Sequence, residues 1–201
     1  MNLQRQLSRM GFILTGGRSS RMGADKAFLD FGGRTLLERA LGVMRQTCSN
    51  LAIVGEPAKF AAYGTAVPDI YPACGPLAGI HAALRHSSAE LNLVMAVDMP
   101  FVSPDLLAFL FAAASDTDAI VTVPGTARGF QPLCAVYRRS FAAVADEALR
   151  AGKYKVDALF SAVAVRIIEA SELAAAGFSD RAFFNVNTPE DLLAAQTSGP
   201  G

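Results

Sequence analysis

The sequence predicts a single three-layer α/β/α domain built on a doubly wound, mostly parallel β-sheet. Four short apolar runs rich in Val, Ile and Leu have the composition of buried parallel strands, and they span 11–15, 51–55, 91–97 and 119–123. Segments with helix-start signals separate these runs. This alternation of strand and helix implies parallel pairing, with helices on both faces of the sheet.

The first two helices are predicted from capping patterns. Thr35 and Glu38 form a capping-box pattern ahead of a helix that extends to about Gln46. Ser103, followed directly by a proline, has the pattern of a cap before a helix to about Ala114.

Two further helices and a fifth strand complete the predicted domain. A helix over about 140–151 should end at Gly152, a usual stop residue, and Thr188 repeats the cap-and-proline device before a last helix. The alternating segment 131–137 adds a strand to the same sheet. The chain contains no linker, so we expect one domain over 1–196 and a disordered tail over 197–201.

Composition narrows the classes of protein to consider. The chain of 201 residues is 52% hydrophobic and 18% charged, which is typical of a globular domain. Apolar runs stay well short of the roughly 20 residues of a membrane span, and the first residues lack the pattern of a signal peptide, so we expect no membrane association. Widely spaced cysteines without a C-x-x-C pattern favour free thiols and a cytoplasmic location. They are Cys48, Cys74 and Cys134.

Charge is distributed unevenly along the chain. The formal net charge is zero, but the first 50 residues hold eight Lys or Arg against three Asp or Glu. This basic excess suits a phosphate ligand, and it is equally compatible with a solvated surface. A nucleic-acid partner would need a larger excess with interleaved aromatic residues, so we expect none.

The segment 14–26, LTGGRSSRMGADK, follows the first predicted strand and is the most informative in the chain. Two adjacent glycines, Gly16 and Gly17, let the backbone turn sharply and approach a ligand closely. Three cations follow within nine residues: Arg18, Arg21 and Lys26. Cations, hydroxyls and backbone N–H groups on one loop suit a polyphosphate, although a solvated turn has the same composition. The patterns of a P-loop ATPase and of a G-x-G-x-x-G dinucleotide fold are both missing.

This loop resembles the signature of nucleotidyltransferases with a Rossmann-like fold. More narrowly, it is similar to the loop of the molybdenum cofactor guanylyltransferases, which reads close to L-A-G-G-x-S-x-R-M-G-x-D-K. Thr15 stands where that family usually has Ala. The resemblance implies catalytic roles for Arg21 and Lys26. It also implies that GTP contacts residues of this loop, namely Leu14, Thr15, Gly16, Gly17, Arg18 and Lys26.

A second motif, A-V-D-M-P-F, places Asp98 just after the run 91–97. Carboxyl ends of parallel strands face the ligand crevice of such sheets, and Mg²⁺ is typically held there by one or two carboxylates plus substrate phosphates. Asp98 could instead only cap the following turn. The resemblance to the guanylyltransferase motif implies that Asp98 is catalytic, belongs to the GTP-binding residues and binds Mg²⁺.

A third motif runs from Asp69 through the string G-P-L-A-G-I that starts at Gly75. As plain chemistry it is a rigid turn leading into a helix, where Gly79 permits close packing. The string resembles the guanylyltransferases and differs from their cytidylyl-transferring relatives. The resemblance implies that Asp69 and Gly75 bind GTP, and a carboxylate can accept hydrogen bonds from both N1–H and the amino group of guanine.

Two weaker features point to the acceptor. The string N-V-N-T-P-E-D-L is a strand end followed by a capped helix, and Asn185 and Asn187 share one side of a strand. By resemblance these asparagines, together with Gln131, bind the acceptor. One departure from the family is the segment 53–56, which lacks the Asn that often contacts the nucleotide.

The resemblance implies transfer of GMP from GTP to the terminal phosphate of molybdenum-bearing molybdopterin, yielding the guanine dinucleotide cofactor and pyrophosphate. Other molybdenum cofactor biosynthesis proteins and molybdoenzyme chaperones are then expected partners. Two alternatives stay open at this point. One is a nucleotidyltransferase that uses CTP or another nucleotide on molybdopterin or on a sugar or polyol phosphate. The other is a nucleotide-binding module without catalysis.

Overall fold

An eight-stranded β-sheet forms the centre of the computed structural model, which describes residues 8–16 and 25–197. The strands are β1 (Arg9–Leu14), β2 (Leu51–Val54), β3 (Ala66–Val67), β4 (Leu91–Ala96), β5 (Val121–Thr126), β6 (Gly129–Phe130), β7 (Cys134–Arg138) and β8 (Val165–Ile168). The α-helices are α1 (Leu36–Arg45), α2 (Pro57–Phe60), α3 (Pro76–His86), α4 (Pro104–Ser115), α5 (Phe141–Arg150), α6 (Ala170–Ala175) and α7 (Pro189–Thr197). Short 3₁₀ helices span Lys26–Phe28, Asp157–Ala162 and Asp180–Phe183.

The strand order is β3-β2-β1-β4-β7-β5-β6, and β8 pairs with β5. Strands β3, β2, β1 and β4 run parallel to one another, β8 is parallel to β5, and β7 pairs antiparallel with both β4 and β5. From β1 the chain extends the sheet to one side through β2 and β3, and then crosses to β4 on the other side. The carboxyl ends of β1 and β4 therefore flank the point where the strand order reverses, the usual position of a ligand crevice.

Helices cover both faces of the sheet, as the sequence predicts. Alternate residues of β1 enter different cores, because successive side chains of a strand point to opposite faces. Ile13 packs in the core under α1 and α4, whereas Phe12 packs in the core under α3 and α5. Both side chains are fully buried. The domain is thus a doubly wound α/β/α sandwich with a mostly parallel sheet.

Predicted helix signals are observed as hydrogen bonds. Thr35 Oγ1 accepts from the Glu38 N–H at 3.1 Å, and Glu38 Oε2 accepts from the Thr35 N–H at 2.8 Å, which completes the capping box of α1. Ser103 Oγ accepts from the N–H of Leu106 at 3.2 Å at the start of α4. Gly152, just beyond α5, has the positive φ of 71° that favours glycine at a helix end.

The structure corrects three details of the predicted topology. The strand predicted over 131–137 begins at Cys134 and runs antiparallel between β4 and β5. Residues 184–187 have no regular secondary structure, so the two asparagines do not share a sheet face. The last residue of α7 is Thr197, the first residue of the predicted tail, and 198–201 lie outside the described residues. Within the described ranges, none of the helices is long and apolar enough to cross a membrane.

An open groove of about 920 Å³ lies between α3 and α5, away from the carboxyl ends of β1 and β4. Beneath it, His81 is 2% exposed, and its Nε2 lies 3.5 Å from Oδ1 of Asp146. Asp146 Oδ1 also accepts from the Tyr71 hydroxyl at 2.7 Å, and Asp146 Oδ2 pairs with Arg150 at 3.0 Å. Burial lowers the pKa of His81 and outweighs the opposing effect of Asp146; the charges of Arg85 and Arg150 lower this pKa further.

Acid should therefore destabilise the fold through His81. Its pKa is lower in the folded protein than in the unfolded chain, so the unfolded chain binds more protons once the pH falls below about 6.5. We expect the melting temperature to fall between about pH 7.5 and pH 5.5, and the fall to be smaller in His81→Gln. His86→Gln, at an exposed position of the same helix, is the control and should keep the wild-type slope. Equal slopes in wild type and His81→Gln would contradict this explanation.

Candidate active site

Two adjoining cavities lie at the carboxyl ends of β1, β2 and β4, and we name each after one acidic or basic residue. The Lys26 cavity, of about 290 Å³, is lined by Leu14, Thr15, Gly16, Asp25, Lys26, Pro76, Ala96, Val97, Asp98, Leu133, Asn185 and Asn187. The Asp69 cavity, of about 310 Å³, is lined by Leu14, Gly16, Val54, Asp69, Ala73, Gly75, Pro76 and Gly79. Leu14, Gly16 and Pro76 belong to both linings, so these residues form the wall between the two spaces.

Lys26 is the centre of a three-residue polar cluster. Its Nζ donates to Asp98 Oδ2 at 3.0 Å and to Asn187 Oδ1 at 2.7 Å. Asp25 accepts from the N–H of Ala27 at 3.1 Å and so caps the short 3₁₀ helix that carries Lys26. The side chains of Lys26 and Asp98 are 19% and 16% exposed. An ion pair this well shielded is stronger than one on the surface, because water screens it less.

Asp98 is fixed by backbone hydrogen bonds on both sides. The N–H of Val97 donates to the carbonyl of Leu14 at 3.0 Å, which extends the β1–β4 pairing by one residue. The carbonyl of Asp98 accepts from the N–H of Val186 at 2.9 Å. These contacts aim the carboxylate into the Lys26 cavity, and its Oδ1 is buried without a hydrogen-bond partner among the described residues. Burial of an unpartnered carboxylate oxygen is costly, which makes this atom a candidate ligand for a cation.

The donor set around Asp98 fits Mg²⁺. No group of three or more His, Cys, Asp or Glu residues that could hold a metal ion occurs in the described ranges, so a complete protein cage is missing there. Mg²⁺ usually keeps several waters and is bound through one or two carboxylates plus substrate phosphates. One buried, unpartnered carboxylate oxygen beside a lysine matches that mode of binding.

The Asp69 cavity has a constrained backbone at its rim. Ala73 and Gly75 have positive φ angles of 63° and 73°, and a positive φ is uncommon for a residue other than glycine. Glycines also let Asp69 lie close to the wall: a Cβ at Gly79 would be 3.3 Å from Leu14 and 3.8 Å from Asp69 Oδ1. Desolvation raises the pKa of the Asp69 carboxyl, although the residue as a whole is exposed to solvent.

Thr15 closes position 55, one position of the segment 53–56 that lacks an asparagine. Thr15 Oγ1 donates to the carbonyl of Val54 at 2.8 Å and lies directly over Gly55. A Cβ at position 55 would overlap Thr15 Oγ1 and come within 2.8 Å of the ring of Phe60. While Thr15 occupies its place, position 55 has no room for an asparagine or any other side chain.

We expect Gly55→Ala to lower the free energy of unfolding by about 1–3 kcal/mol, the usual cost of overpacking. Adding Thr15→Ala should restore part of the loss, because it removes the overlapping hydroxyl but leaves the Phe60 contact. Thermal unfolding of the single and double variants measures both effects. Gly42→Ala, inside α1, is the control without overpacking, since no atom beyond the adjacent helix backbone lies within 4 Å of a Cβ there; it should not lower the free energy of unfolding. A loss in the double variant as large as in Gly55→Ala would contradict the role of Thr15.

The predicted site residues are thus distributed over two cavities and one hairpin. Leu14, Thr15, Gly16, Lys26, Asp98, Asn185 and Asn187 line the Lys26 cavity, whereas Asp69 and Gly75 line the Asp69 cavity. The side-chain amide of Gln131 donates to Thr126 Oγ1 at 3.0 Å and to the carbonyl of Gly129 at 3.3 Å, within the β5–β6 hairpin, and lines neither cavity. Gly17, Arg18 and Arg21 lie outside the described residues.

Sequence reasoning missed several lining residues. Asp25 and Pro76 lie inside the quoted motifs, next to Lys26 and Gly75, and could have been found there. Ala73 and Leu133 carry no chemical signal in the sequence. Ala73 becomes notable only through its positive φ, and Leu133 through its carbonyl, which accepts from the N–H of Ala96 at 2.8 Å.

Comparisons with known proteins agree on one family. The family model described as a MobA-like NTP transferase domain matches residues 11–167. A protein of Pelotomaculum thermopropionicum, named "Probable molybdenum cofactor guanylyltransferase", is 38% identical over 192 residues, which cover 94% of this chain and 93% of that protein. The molybdenum cofactor guanylyltransferase of Desulfosudis oleivorans is 31% identical over 191 residues, which cover 94% of each chain.

A solved structure supports the same relationship. The crystal structure of molybdopterin-guanine dinucleotide biosynthesis protein A from Archaeoglobus fulgidus superimposes with a TM-score of 0.83 at 28% sequence identity. The match covers 94% of this chain and 97% of that one.

Proposed function

The chain belongs to the family of MobA-like NTP transferases, and from this premise we propose that it is a molybdenum cofactor guanylyltransferase. The enzyme transfers GMP from GTP to the terminal phosphate of molybdenum-bearing molybdopterin. The products are the guanine dinucleotide form of the cofactor and pyrophosphate. The predicted doubly wound fold and the predicted family are both confirmed.

The observation that carries the proposal for the site is the contact of Lys26 with Asp98 at the carboxyl ends of β1 and β4. A cation and a carboxylate 3.0 Å apart, beside a second cavity of similar volume, suit a phosphate chain that extends out of a nucleoside pocket. Neutral clefts for apolar ligands need no such pair. The arrangement therefore favours a substrate with phosphates next to a polar head group.

We assign the nucleoside to the Asp69 cavity. Asp69 accepts hydrogen bonds from the guanine edge there, and the backbone at Gly75 and Gly16 lines the path of the ribose and phosphates. A base bound in this cavity would exclude water from the Asp69 carboxylate, which strengthens its hydrogen bonds to the base. Gly17 and Arg18, which lie outside the described residues, complete the loop around the phosphates.

The acceptor enters the Lys26 cavity from the side of Asn185 and Asn187. Both asparagines line that cavity, and Asn185 donates to the carbonyl of Phe183 at 3.2 Å, which leaves its amide oxygen for a ligand. Gln131 is a more distant acceptor-site candidate, since only Pro132 separates it from Leu133 in the cavity wall.

The reaction is an in-line displacement at the α-phosphorus of GTP. An oxygen of the acceptor's terminal phosphate forms the new bond, the bond from the α-phosphorus to the bridging oxygen of the β-phosphate breaks, and pyrophosphate leaves with the electron pair. A phosphate nucleophile is ionised near neutral pH, so no general base is needed. Catalysis is then positioning plus charge stabilisation, in which Lys26 and Arg21 neutralise the phosphates.

Mg²⁺ is the metal that we propose for this site, and Asp98 would hold it. When bound, such an ion supplies positive charge to the phosphates of the nucleotide. Asp98 also holds the Lys26 ammonium, so one carboxylate orders both positive groups. The chain's own part is to present these charges in a cavity of limited solvent access.

Thermal unfolding with GTP, CTP, ATP and UTP, each with and without Mg²⁺, tests the proposal. A ligand at about 100 times its dissociation constant adds about 2.7 kcal/mol to the free energy of unfolding, which raises the melting temperature by several degrees. We expect this shift with GTP and Mg²⁺ and a smaller one with the other nucleotides. A preference for CTP would assign the protein to cytidylyl transfer. Lack of a shift with all four would contradict nucleotide binding by the free protein.

Release of pyrophosphate upon mixing GTP, Mg²⁺ and molybdenum-bearing molybdopterin separates an enzyme from a non-catalytic binding module.

The proposal also extends to proteins that deliver or receive the cofactor, such as other biosynthesis proteins and molybdoenzyme chaperones. We propose the cytoplasm as the compartment, which the three free cysteines support.

A further inference from the structure

Behind the Lys26 cavity, the first turn of α7 is tied to the residues that precede it. Asp191 Oδ2 accepts from the backbone N–H of Asn187 at 2.9 Å and from the N–H of Thr188 at 2.9 Å. In return, the N–H of Asp191 donates to Thr188 Oγ1 at 3.1 Å. Asp191 therefore closes the N-terminal cap of the helix and also holds the backbone of Asn187.

The carboxylate of Asp191 is well suited to this task. Its hydrogen bond from the Asn187 N–H is the largest of several effects that lower the pKa of Asp191; bonds from Thr188 and the charge of Lys26 act in the same direction. The group thus stays ionised near neutral pH, and hydrogen bonds to an ionised acceptor are stronger than neutral ones.

Asn187 is held from two directions as a result. On one side Asp191 fixes its N–H, and on the other the N–H of the preceding Val186 donates to the carbonyl of Asp98 at 2.9 Å. Its side-chain oxygen, 2.7 Å from Lys26 Nζ, therefore has a defined place relative to Asp98. The Lys26 ammonium lies between this oxygen and the Asp98 carboxylate.

We propose that Asp191 is a positioning residue for nucleotidyl transfer. It touches no substrate, but by fixing Asn187 it sets the place of the Lys26 ammonium in the cavity. The proposal rests on the proposed function in so far as Lys26 acts on the phosphates. It goes beyond the sequence pattern, because T-P-E-D alone predicts an ordinary helix cap and gives no link to Lys26.

Glu190 provides a matched control for Asp191. Both are acidic residues in the first turn of α7, where a negative charge stabilises a helix. Among the described residues, however, only Asp191 accepts from the N–H of Asn187. Thr188→Ala is a second control, because it breaks the bond from the Asp191 N–H while the bond to Asn187 can remain.

The first test uses the reactivity of the Lys26 amine, measured without substrates, to report whether Lys26 keeps its place. Limited acetylation followed by mass spectrometry gives the reactivity of Lys26, with Lys155, whose side chain is 79% exposed, as the internal reference. We expect Lys26 to react several-fold faster in Asp191→Ala than in wild type, and at the wild-type rate in Glu190→Ala. An unchanged rate in Asp191→Ala would overturn the proposal.

The second test measures turnover. We expect Asp191→Ala to lower kcat about tenfold with little change in the KM for GTP. A misplaced charged group weakens the stabilisation of the transition state more than the binding of the substrate. Thr188→Ala should lower the melting temperature about as much as Asp191→Ala does, but it should keep most of the wild-type kcat. In an Asn187→Ala background, Asp191→Ala should cause no further loss of kcat, since the two residues act through one contact.

Wild-type kcat in Asp191→Ala, or independent losses in the double variant, would overturn the positioning role. A wild-type protein that transfers no guanylyl group would instead refute the proposed function. In that case the acetylation rates still decide whether Asp191 sets the place of Lys26.

Discussion

Replacing Lys26 with alanine is expected to lower the turnover number about 100-fold or more. The ammonium of Lys26 is the only side-chain cation that lines the Lys26 cavity within the described residues, and its charge is aimed by two hydrogen bonds. Loss of one preorganised group that stabilises transition-state charge typically costs about 10²–10³ in kcat. The measurement is the steady-state rate of pyrophosphate release with GTP, Mg²⁺ and the molybdopterin acceptor.

Lys155→Ala is the matched control for this experiment. It removes the same charge from an exposed ion pair with Asp157, and an exposed pair contributes little to stability. We expect its turnover to equal that of wild type. Turnover of Lys26→Ala within a few-fold of wild type would refute a role for Lys26 in the transition state, and circular dichroism would verify that the variant is folded.

Asp98→Asn is expected to have a comparably large effect, with a different signature. The substitution keeps the shape of the side chain but removes the charge that holds Lys26 and, in our proposal, Mg²⁺. We expect turnover to fall about 100-fold or more, because both positive groups lose their anchor. The Mg²⁺ concentration for half-maximal rate should also rise, which Lys26→Ala should not produce to the same degree.

Asp118→Asn tests whether charge alone matters. Asp118 is fully exposed and lies 3.8 Å from Arg138, in the loop that precedes β5. The variant should have wild-type turnover and the wild-type dependence on Mg²⁺. If Asp98→Asn lowered turnover without changing the Mg²⁺ dependence, Asp98 would act through Lys26 only, and the proposed metal site would be wrong.

Local patterns predict the fold well where a short stretch of sequence contains the whole signal. The capping box of Thr35 and the glycine stop at Gly152 depend on neighbours within a few residues, and both are observed. The direction of β7 could not be predicted, because an alternating segment pairs in either direction. Strand β3 has only two residues, Ala66 and Val67, too few for any periodicity.

For the site as well, local motifs predict individual residues, whereas contacts between distant parts of the chain cannot be predicted from them. Asp98 and Lys26 are predicted from motifs whose neighbours specify them, and both line the Lys26 cavity. The bond from Lys26 to Asn187 joins residues 161 positions apart and depends on where α7 packs, which no local pattern encodes. The role of Gln131 stays a prediction, since its amide is engaged within its own hairpin.

That long separation has a consequence for how the protein is made. The ribosome adds residues from the N-terminus onward, and elements made early can fold while later ones are still being synthesised. Strands β1 and β4 and the 3₁₀ helix of Lys26 are made early, but Asn185, Val186 and Asn187 are among the last residues described here to emerge. A nascent chain that already contains the signature loop therefore lacks the contacts that hold Lys26 and Asp98 from the side of α7, and it also lacks the core residues Val186 and Ala195.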